Sequence, residues 1–146
     1  MRISRKSEYA LRALLAIARG PRSFQVQEIS RRANIPVKFL EQILLALRNA
    51  GYLSSKRGVG GGYALRVPTA EITVGEVIRL MDGPLAPVPC AAAQPAERCT
   101  CADPRTCPLR LLMIGVREEL SAQLDHRSID DMLKLAPDES SLAFEI

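Results

Sequence analysis

Tryptophan is absent from the sequence, aromatic residues are rare, and there is a single histidine, His126. No nucleophile is arranged with that histidine, and no paired carboxylates stand in a glycine-rich site, so general acid–base and nucleophilic catalysis lack their usual groups. The glycine run at residues 58–62 is not followed by Lys-Ser or Lys-Thr, which a phosphate-binding loop requires. We therefore predict that the protein is not an enzyme.

Long hydrophobic runs are also absent, because no apolar stretch approaches the roughly 18 residues needed to cross a bilayer. The first residues lead into an amphipathic pattern without a small-residue cleavage site, so we expect no signal peptide. The sequence therefore predicts a cytoplasmic protein without a membrane partner.

Charge is distributed unevenly along the 146 residues. Residues 1–66 carry 13 lysines and arginines against 3 acidic residues, a balance of +10, whereas residues 67–146 carry 7 against 13, a balance of −6. A basic half joined to an acidic half indicates that one end of the chain meets a polyanion and the other does not.

Apolar spacing predicts three helices in the basic half. Residues 2–19 have the i, i+3, i+4 pattern of a buried stripe. A short helix follows over residues 26–33 without a good N-cap, and after a turn a third helix runs from Pro36 to about Asn49, with Gly51 as its C-terminal stop. The inner face of the third helix is formed by Leu40, Ile43, Leu44 and Leu47.

The residues after the third helix predict a β-hairpin with a glycine-rich tip. One strand begins at residues 52–54, a basic turn covers residues 56–62, and alternating apolar residues from Tyr63 form the returning strand. Helix, helix, turn, helix and hairpin is the order of a winged helix-turn-helix. The sequence thus predicts a mostly α-helical fold with a small β-hairpin wing.

The acidic half predicts a helix, a long loop and a long helix. Thr73 and Glu76 match the capping box of a helix that ends near Met81, and a proline-rich loop follows. From Pro108 to Asp125 the pattern is helical again, with an apolar seam suited to a partner helix. The seam consists of Leu109, Met113, Val116, Leu120 and Leu124.

The outer face of the third helix carries the candidates for reading DNA bases. Lys38, Glu41 and Gln42 lie near its N-terminus, where recognition helices usually contact bases. A glutamine can pair bidentately with adenine and a glutamate can accept from cytosine, while Arg57 in the glycine hairpin can enter a narrow minor groove. Candidates for contact with the DNA backbone are Arg2, Arg5, Tyr9, Arg48 and Lys56. The alternative for each of them is an ordinary solvated surface.

Two motifs that follow one another closely carry a family resemblance: Phe39-Leu-Glu-Gln-Ile-Leu-Leu-Ala-Leu-Arg48 and Arg57-Gly-Val-Gly-Gly-Gly-Tyr63. With residues 7–14 and 72–78, they make the chain resemble the IscR/NsrR-type winged-helix regulators of the bacterial Rrf2 family over residues 1–135. The resemblance implies a homodimeric repressor on a partly palindromic operator in double-stranded DNA. It places a recognition helix in the major groove, the wing with Gly61 in the minor groove, and the long helix at the dimer contact.

All four cysteines, Cys90, Cys99, Cys101 and Cys107, lie in the proline-rich loop. Their spacing matches neither the Cys-x2-Cys pairs of structural zinc sites nor a redox Cys-x-x-Cys, so by itself it indicates only soft ligands for zinc or an iron–sulfur cluster. The resemblance implies a cluster held by Cys90, Cys101 and Cys107, with Cys99 as a substitute, a spare or a fourth ligand. It also makes Glu8 of the partner subunit a candidate ligand, the alternative being a surface carboxylate paired with Arg12.

The sequence therefore predicts a regulator that senses iron, nitric oxide or redox state through a [2Fe–2S] or [4Fe–4S] cluster. The alternative is the same regulator sensing by thiol oxidation, zinc or a protein partner without a cluster. The predicted segments are a winged DNA-binding head (1–68), a connecting helix (69–82), a cysteine-rich loop (83–107), a dimerisation helix with a short final helix (108–135) and a loose tail (136–146).

Overall fold

The computed structural model describes residues 2–20, 22–94 and 99–136, which form six α-helices and one β-hairpin. The helices are α1 (Arg5–Ala18), α2 (Val26–Ala33), α3 (Val37–Asn49), α4 (Val74–Asp82), α5 (Pro108–Asp125) and α6 (Ile129–Leu135). The strands β1 (Leu53–Lys56) and β2 (Gly62–Leu65) pair antiparallel, with Leu53 opposite Leu65. The predicted fold, mostly α-helical with a hairpin wing, is confirmed. The predicted tail falls outside the described residues from residue 137 onward.

Local capping signals set where the helices begin and end. The prediction started α1 at residue 2, but the helix begins at Arg5 because the Ser4 side chain accepts a 3.1 Å hydrogen bond from the Ser7 N–H and caps it. The capping box predicted at Thr73 and Glu76 is present at the start of α4. Gly51 follows the end of α3 with a φ of +88°, the backbone conformation that ends many helices.

One hydrophobic core joins the first three helices to α4 and α6. The four inner-face residues of α3 are buried as predicted, with exposures of 2% or less. Ile72, Val77 and Ile129 belong to the same cluster and are completely buried. The connecting helix and the final helix are therefore packed on the head, so α4 and α6 move with it.

The C-terminal end of α5 is anchored to α4. Arg79 donates two hydrogen bonds to Asp125, at 2.7 and 2.8 Å. Gly75 permits this approach, because a Cβ at that position would lie 2.0 Å from the Asp125 Oδ1 atom. The Ile129 N–H also donates to the Ile72 carbonyl at 2.9 Å, so the segment after α5 is fixed as well.

The remainder of α5 leaves its apolar side chains uncovered. None of its residues is buried, and of the predicted seam Leu109 and Val116 are exposed while the other three are half-buried. Leu112 is also exposed on the side of Leu109 and Val116, so the apolar face is wider than the predicted seam, whereas Leu111 is exposed on the opposite side of the helix. Within the described ranges, no helix has both the length and the hydropathy of a bilayer-spanning segment.

Candidate DNA-binding surface and cysteine cluster

The polar face of α3 is fully presented to solvent. Lys38, Glu41 and Gln42 are all exposed in the first half of the helix. Their side of α3 lies opposite the buried leucines that fix the helix in the core, so the backbone that carries them is held rigidly. The structure therefore brings the three predicted base-reading residues together on one accessible surface.

The start of α1 lies beside the start of α3. A cleft of about 460 Å³ lies between them, lined by Ser4, Arg5, Lys6, Tyr9, Phe39, Gln42 and Ile43. The guanidinium groups of Arg5 and Arg12 lie 5.9 and 5.5 Å from the centre of the Tyr9 ring, within cation–π range. Arg5 and Tyr9, which are predicted to contact the DNA backbone, thus line the same cleft as Gln42.

The other residues predicted to contact the DNA backbone lie around the polar face of α3. Arg2 is exposed ahead of α1. Arg48, at the far end of α3, donates a 3.2 Å hydrogen bond to the Ser55 hydroxyl and so links α3 to β1. Lys56 is exposed at the end of β1, where the turn of the wing begins.

The wing is fastened to the segment that precedes α2. Phe24 and Tyr63 exchange two backbone hydrogen bonds of 2.9 and 2.7 Å, and the Gln25 side-chain amide donates to the Gly61 carbonyl at 3.0 Å. Arg57 is exposed in the turn, and Val59 stands fully in solvent near its tip. A fixed base with a protruding basic turn can enter a groove without reorganising the head.

Gly61 shapes the turn of the wing. It is buried, its N–H donates to the Gly58 carbonyl at 3.0 Å, and its carbonyl is occupied by Gln25. A Cβ there would lie 2.2 Å from the Lys56 carbonyl oxygen, so only glycine fits without a shift. Direct contact between Gly61 and DNA stays a prediction, and its burial does not favour it.

Arg12 is a connection between α1 and α2 that the sequence pattern did not indicate. It donates to Glu8 at 3.1 Å and also to the carbonyls of Ala33, the last residue of α2, and Asn34, which follows it. Glu8 is therefore paired with Arg12, which is the alternative to its role as a cluster ligand. The role of Glu8 as a cluster ligand in a partner subunit stays a prediction.

The four cysteines form a continuous chain of contacts. The sulfur atoms of Cys101 and Cys107 lie 3.6 Å apart, and the Cys101 N–H donates to the Cys99 sulfur at 3.4 Å. The Cys99 thiol lies close enough to that of Cys90 to contribute to raising its pKa. Cys99, which the spacing left without a defined role, thus stands between the other three.

These surroundings lower the pKa of two of the thiols and raise the pKa of the other two. The Cys101 N–H lowers the pKa of Cys99, and the backbone N–H of Arg110 in the first turn of α5 lowers the pKa of Cys107. Burial, followed by the neighbouring Cys99, raises the pKa of Cys90. The flanking thiols of Cys99 and Cys107 raise the pKa of Cys101 to about 12. The loop thus favours thiolates at two alternating positions.

The donor chemistry of this loop fits an iron–sulfur cluster, because such clusters are held by thiolates. In the described part of the chain, however, no three metal-ligating side chains converge on a common point. The thiols form a chain instead, so a bound cluster has to draw them together.

Two arginines of α5 hold the backbone of the cysteine loop. Arg110 donates to the Cys90 carbonyl at 3.0 Å, and Arg117 donates to the Ala91 carbonyl at 2.7 Å. The loop was predicted to lack regular structure, but a short 3-10 turn, Pro89–Ala91, packs against α5 there, and Ala91 is buried. The two arginines are seven residues apart, which places them on one side of α5. This spacing was the only signal in the sequence that could have indicated their shared contact with the loop.

A second connection leads from the start of the loop to the N-terminal end of α1. Asp82, the last residue of α4, accepts a 3.0 Å hydrogen bond from the Ser4 N–H and another from the Ser4 hydroxyl. Burial of Asp82 opposes its ionisation, but the bonds from Ser4 outweigh it and lower the pKa of Asp82. The cap of α1 is thereby joined to the residue at which the cysteine loop begins.

The chain matches the model of the Rrf2 family, described as an iron-dependent transcriptional regulator, over residues 3–135. It belongs to the Rrf2 family. The family predicted from the recognition-helix and wing motifs is therefore confirmed. The members are transcriptional regulators and not enzymes, which agrees with the lack of catalytic groups in the sequence.

Relatives of this Rrf2-family regulator span nearly its whole length. An Rrf2-like HTH-type regulator of Rhodobacter capsulatus is 36% identical, with 90% of this chain and 91% of the relative covered. CymR of Bacillus subtilis is 33% identical over 90% of this chain and 89% of CymR. The structure of that CymR, described as a global cysteine regulator, superposes with a TM-score of 0.73 at 31% identity, covering 94% of this chain and 99% of CymR. The structure of T. potens IscR, at 22% identity, shares the fold with a TM-score of 0.68 over 97% and 96% of the two chains.

Proposed function

We propose that this Rrf2-family regulator is a cytoplasmic, homodimeric repressor that binds a partly palindromic operator and senses its signal through an iron–sulfur cluster. A single arrangement carries the proposal. A chain of four thiols is fastened to the long helix α5 on one side and, through Asp82, to the DNA-facing end of α1 on the other.

The exposed surface formed by α3, the start of α1 and the wing supports DNA binding. Lys38, Glu41 and Gln42 are exposed and can reach base edges in the major groove, while the exposed Arg57 on the wing can enter a minor groove. Arg2, Arg5, Tyr9, Arg48 and Lys56 are assigned to the phosphates, which provide affinity without sequence information.

The uncovered apolar face of α5 supports a homodimer. Leu109, Leu112 and Val116 are 41% to 62% exposed, and large apolar side chains in one row mark a surface that meets a partner. A second copy of α5 offers a matching apolar row, which is the arrangement of an isologous two-fold contact.

The thiols of Cys90, Cys101 and Cys107 are assigned as cluster ligands. Cys99, or Glu8 of the partner subunit, is assigned as the fourth ligand. When bound, the cluster would supply reactivity toward iron loss, nitric oxide or oxidants. Arg110 and Arg117 hold the loop carbonyls against α5, so a change in how the thiols are arranged is transmitted to the start of the dimer helix. The two heads would then change their spacing relative to the operator half-sites.

A regulator that senses by thiol oxidation is a second candidate, favoured by one specific contact. The sulfur atoms of Cys101 and Cys107 lie 3.6 Å apart, and the pKa of Cys107 is lowered by the N–H of Arg110. The Cys107 thiolate would attack one oxygen of hydrogen peroxide, which breaks the O–O bond, leaves a sulfenic acid on Cys107 and releases the other oxygen as water. The Cys101 thiol would then attack the oxidised sulfur, so that the S–S bond forms and the sulfenic oxygen leaves as a second water. A solved structure of Staphylococcus aureus CymR, 31% identical to this chain, is described as an oxidized form, which supports oxidation as a signal.

Anaerobic purification of the full chain distinguishes the two candidates. We expect a brown protein with matched iron and sulfide, and the visible spectrum assigns a [2Fe–2S] or [4Fe–4S] cluster. Cys101→Ser and Cys107→Ser should abolish the colour, while Cys99→Ser shows whether Cys99 is a ligand. A colourless protein without iron contradicts the cluster and favours thiol or zinc sensing, which zinc analysis and thiol counting before and after peroxide then separate.

The assignment of Arg57 is tested with an operator selected from random duplexes by the wild-type protein. Arg57→Ala should weaken binding by about tenfold or more and reduce the salt dependence by about one released ion per subunit. The matched control is Arg127→Ala, an exposed arginine after α5 that lies outside the proposed surface, and it should bind as the wild type does. Equal binding by the Arg57→Ala variant would remove the wing from the interface.

A further inference from the structure

Phe39 is a large aromatic side chain left in solvent on the recognition helix. It is 61% exposed, whereas Phe24 is only 4% exposed in the core. As the third residue of α3, Phe39 stands at the end of the helix where recognition helices contact bases. An aromatic ring kept out of the core at such a position marks an interaction site.

The surroundings of Phe39 are basic. The ring lines the cleft between α1 and α3, whose charged lining residues, Arg5 and Lys6, are both positive. Lys38 is exposed next to it in the sequence. An apolar ring among positive charges fits a polyanion that carries an apolar group better than it fits an apolar protein surface. In the major groove of DNA that apolar group is the C5-methyl of thymine.

We propose that Phe39 reads the methyl group of a thymine in each operator half-site, beside the base pair that Gln42 contacts. This inference rests on the proposed DNA-binding function and deepens it. Phe39 and Gln42 are three residues apart on α3 and line the same cleft, so they face neighbouring base pairs. Arg5 and Lys6 then hold the phosphates that flank this step.

Replacing thymine by deoxyuridine removes only the methyl group and so tests the contact directly. The full-length protein selects its operator from random duplexes, and each thymine in that operator is then replaced in turn. Fluorescence anisotropy at fixed salt measures the affinity. We expect one position per half-site at which the wild type binds about fourfold more weakly, the fold-change that corresponds to one buried methyl group. Replacement in both half-sites should cost about 16-fold.

The variant Phe39→Ala should bind the thymine and deoxyuridine operators equally. The matched control is Leu80→Ala, another exposed apolar side chain but on α4, and it should keep the fourfold difference. The proposal is overturned if Phe39→Ala keeps that difference, or if no thymine position matters to the wild type.

Two further outcomes would also overturn the proposal for separate reasons. If Phe39→Ala dissociates the DNA-free protein in sedimentation velocity, the ring belongs to a subunit contact. If the wild type selects no sequence and binds no duplex, the DNA-binding function fails as well. That result differs from tight binding without methyl dependence, in which only the role of Phe39 fails.

Discussion

Gly62 is the position at which a single methyl group should release the wing from the head. It has a φ of +127°, and a Cβ there would lie 2.2 Å from the Phe24 carbonyl oxygen. That oxygen accepts the 2.7 Å hydrogen bond from the Tyr63 N–H, and the reciprocal bond from the Phe24 N–H to the Tyr63 carbonyl is 2.9 Å. Gly62→Ala therefore imposes backbone strain and also pushes apart the bridge that fastens the wing.

The magnitude follows from these two contributions. An alanine forced into a backbone conformation that suits glycine costs about 1 to 3 kcal/mol. Loss of the two bridge hydrogen bonds adds about 1 kcal/mol each, so Gly62→Ala should lower the free energy of unfolding by about 3 to 5 kcal/mol. With a urea slope of about 2 kcal/mol per molar, the unfolding midpoint should fall by about 1.5 to 2.5 M.

Gly58→Ala is the matched control for this experiment. Gly58 has a φ of +93° in the same turn, but a Cβ there meets nothing within 4 Å. The control carries the backbone strain alone and should lose about 1 to 3 kcal/mol. Both variants are unfolded in urea at one fixed protein concentration, because dimerisation would make the midpoint concentration-dependent. Equal midpoints for the two variants would refute the claim that the close approach at Phe24 fastens the wing.

Two further predictions concern the connections around α4. Hydrogen bonds from Arg79 lower the pKa of Asp125, so the pair stabilises the fold above the ordinary carboxyl value of 3.8 and loses this effect as the pH falls. Asp125→Asn should cost at most about 1 kcal/mol at pH 7, because both side chains are more than a third exposed, and the difference from wild type should shrink near pH 3 in urea titrations. Ser4→Ala removes the cap of α1 and one bond to Asp82, and should cost about 1 to 2 kcal/mol in the same assay, with Ser54→Ala on β1 as a neutral control. A pH-independent loss in the first case, or no loss in the second, would contradict these assignments.

The sequence predicted most of the local structure because the signals that set it are themselves local. The bounds of α2 and α5 follow from apolar periodicity, and the start of α4 follows from its Thr73 cap, signals that act over three or four residues. The two faces of α3 were also assigned correctly, because the helical period fixes which side chains share a side. Apolar periodicity alone starts α1 three residues too early, because the Ser4 cap sets the true start at Arg5.

The connections of the candidate site could not be predicted in the same way. Ser4 and Asp82 are 78 residues apart, and Arg79 and Asp125 are 46 apart, so neither pair leaves a pattern in any local window. The hydrogen bond from Arg110 to the Cys90 carbonyl depends on how the loop packs against α5, which no spacing rule predicts. The place of Cys99 between the other thiols is likewise a consequence of the folded loop.

The position of the cysteine loop suggests how a signal and a DNA contact can be coupled. One end of the loop follows Asp82, whose bonds to Ser4 hold the cap of the helix that carries Arg5 and Tyr9. A bond of this kind is worth about 1 kcal/mol at a partly exposed site, and a tenfold change in DNA affinity corresponds to about 1.4 kcal/mol. Strengthening or losing the Ser4–Asp82 connection is therefore enough to change operator occupancy. The condition is that the bound cluster or the oxidised loop favours the conformation with this connection over the one without it, or the reverse. A change of this size does not require the head to unfold, because it matches the contact already present between α1 and Asp82, the last residue of α4 before the loop.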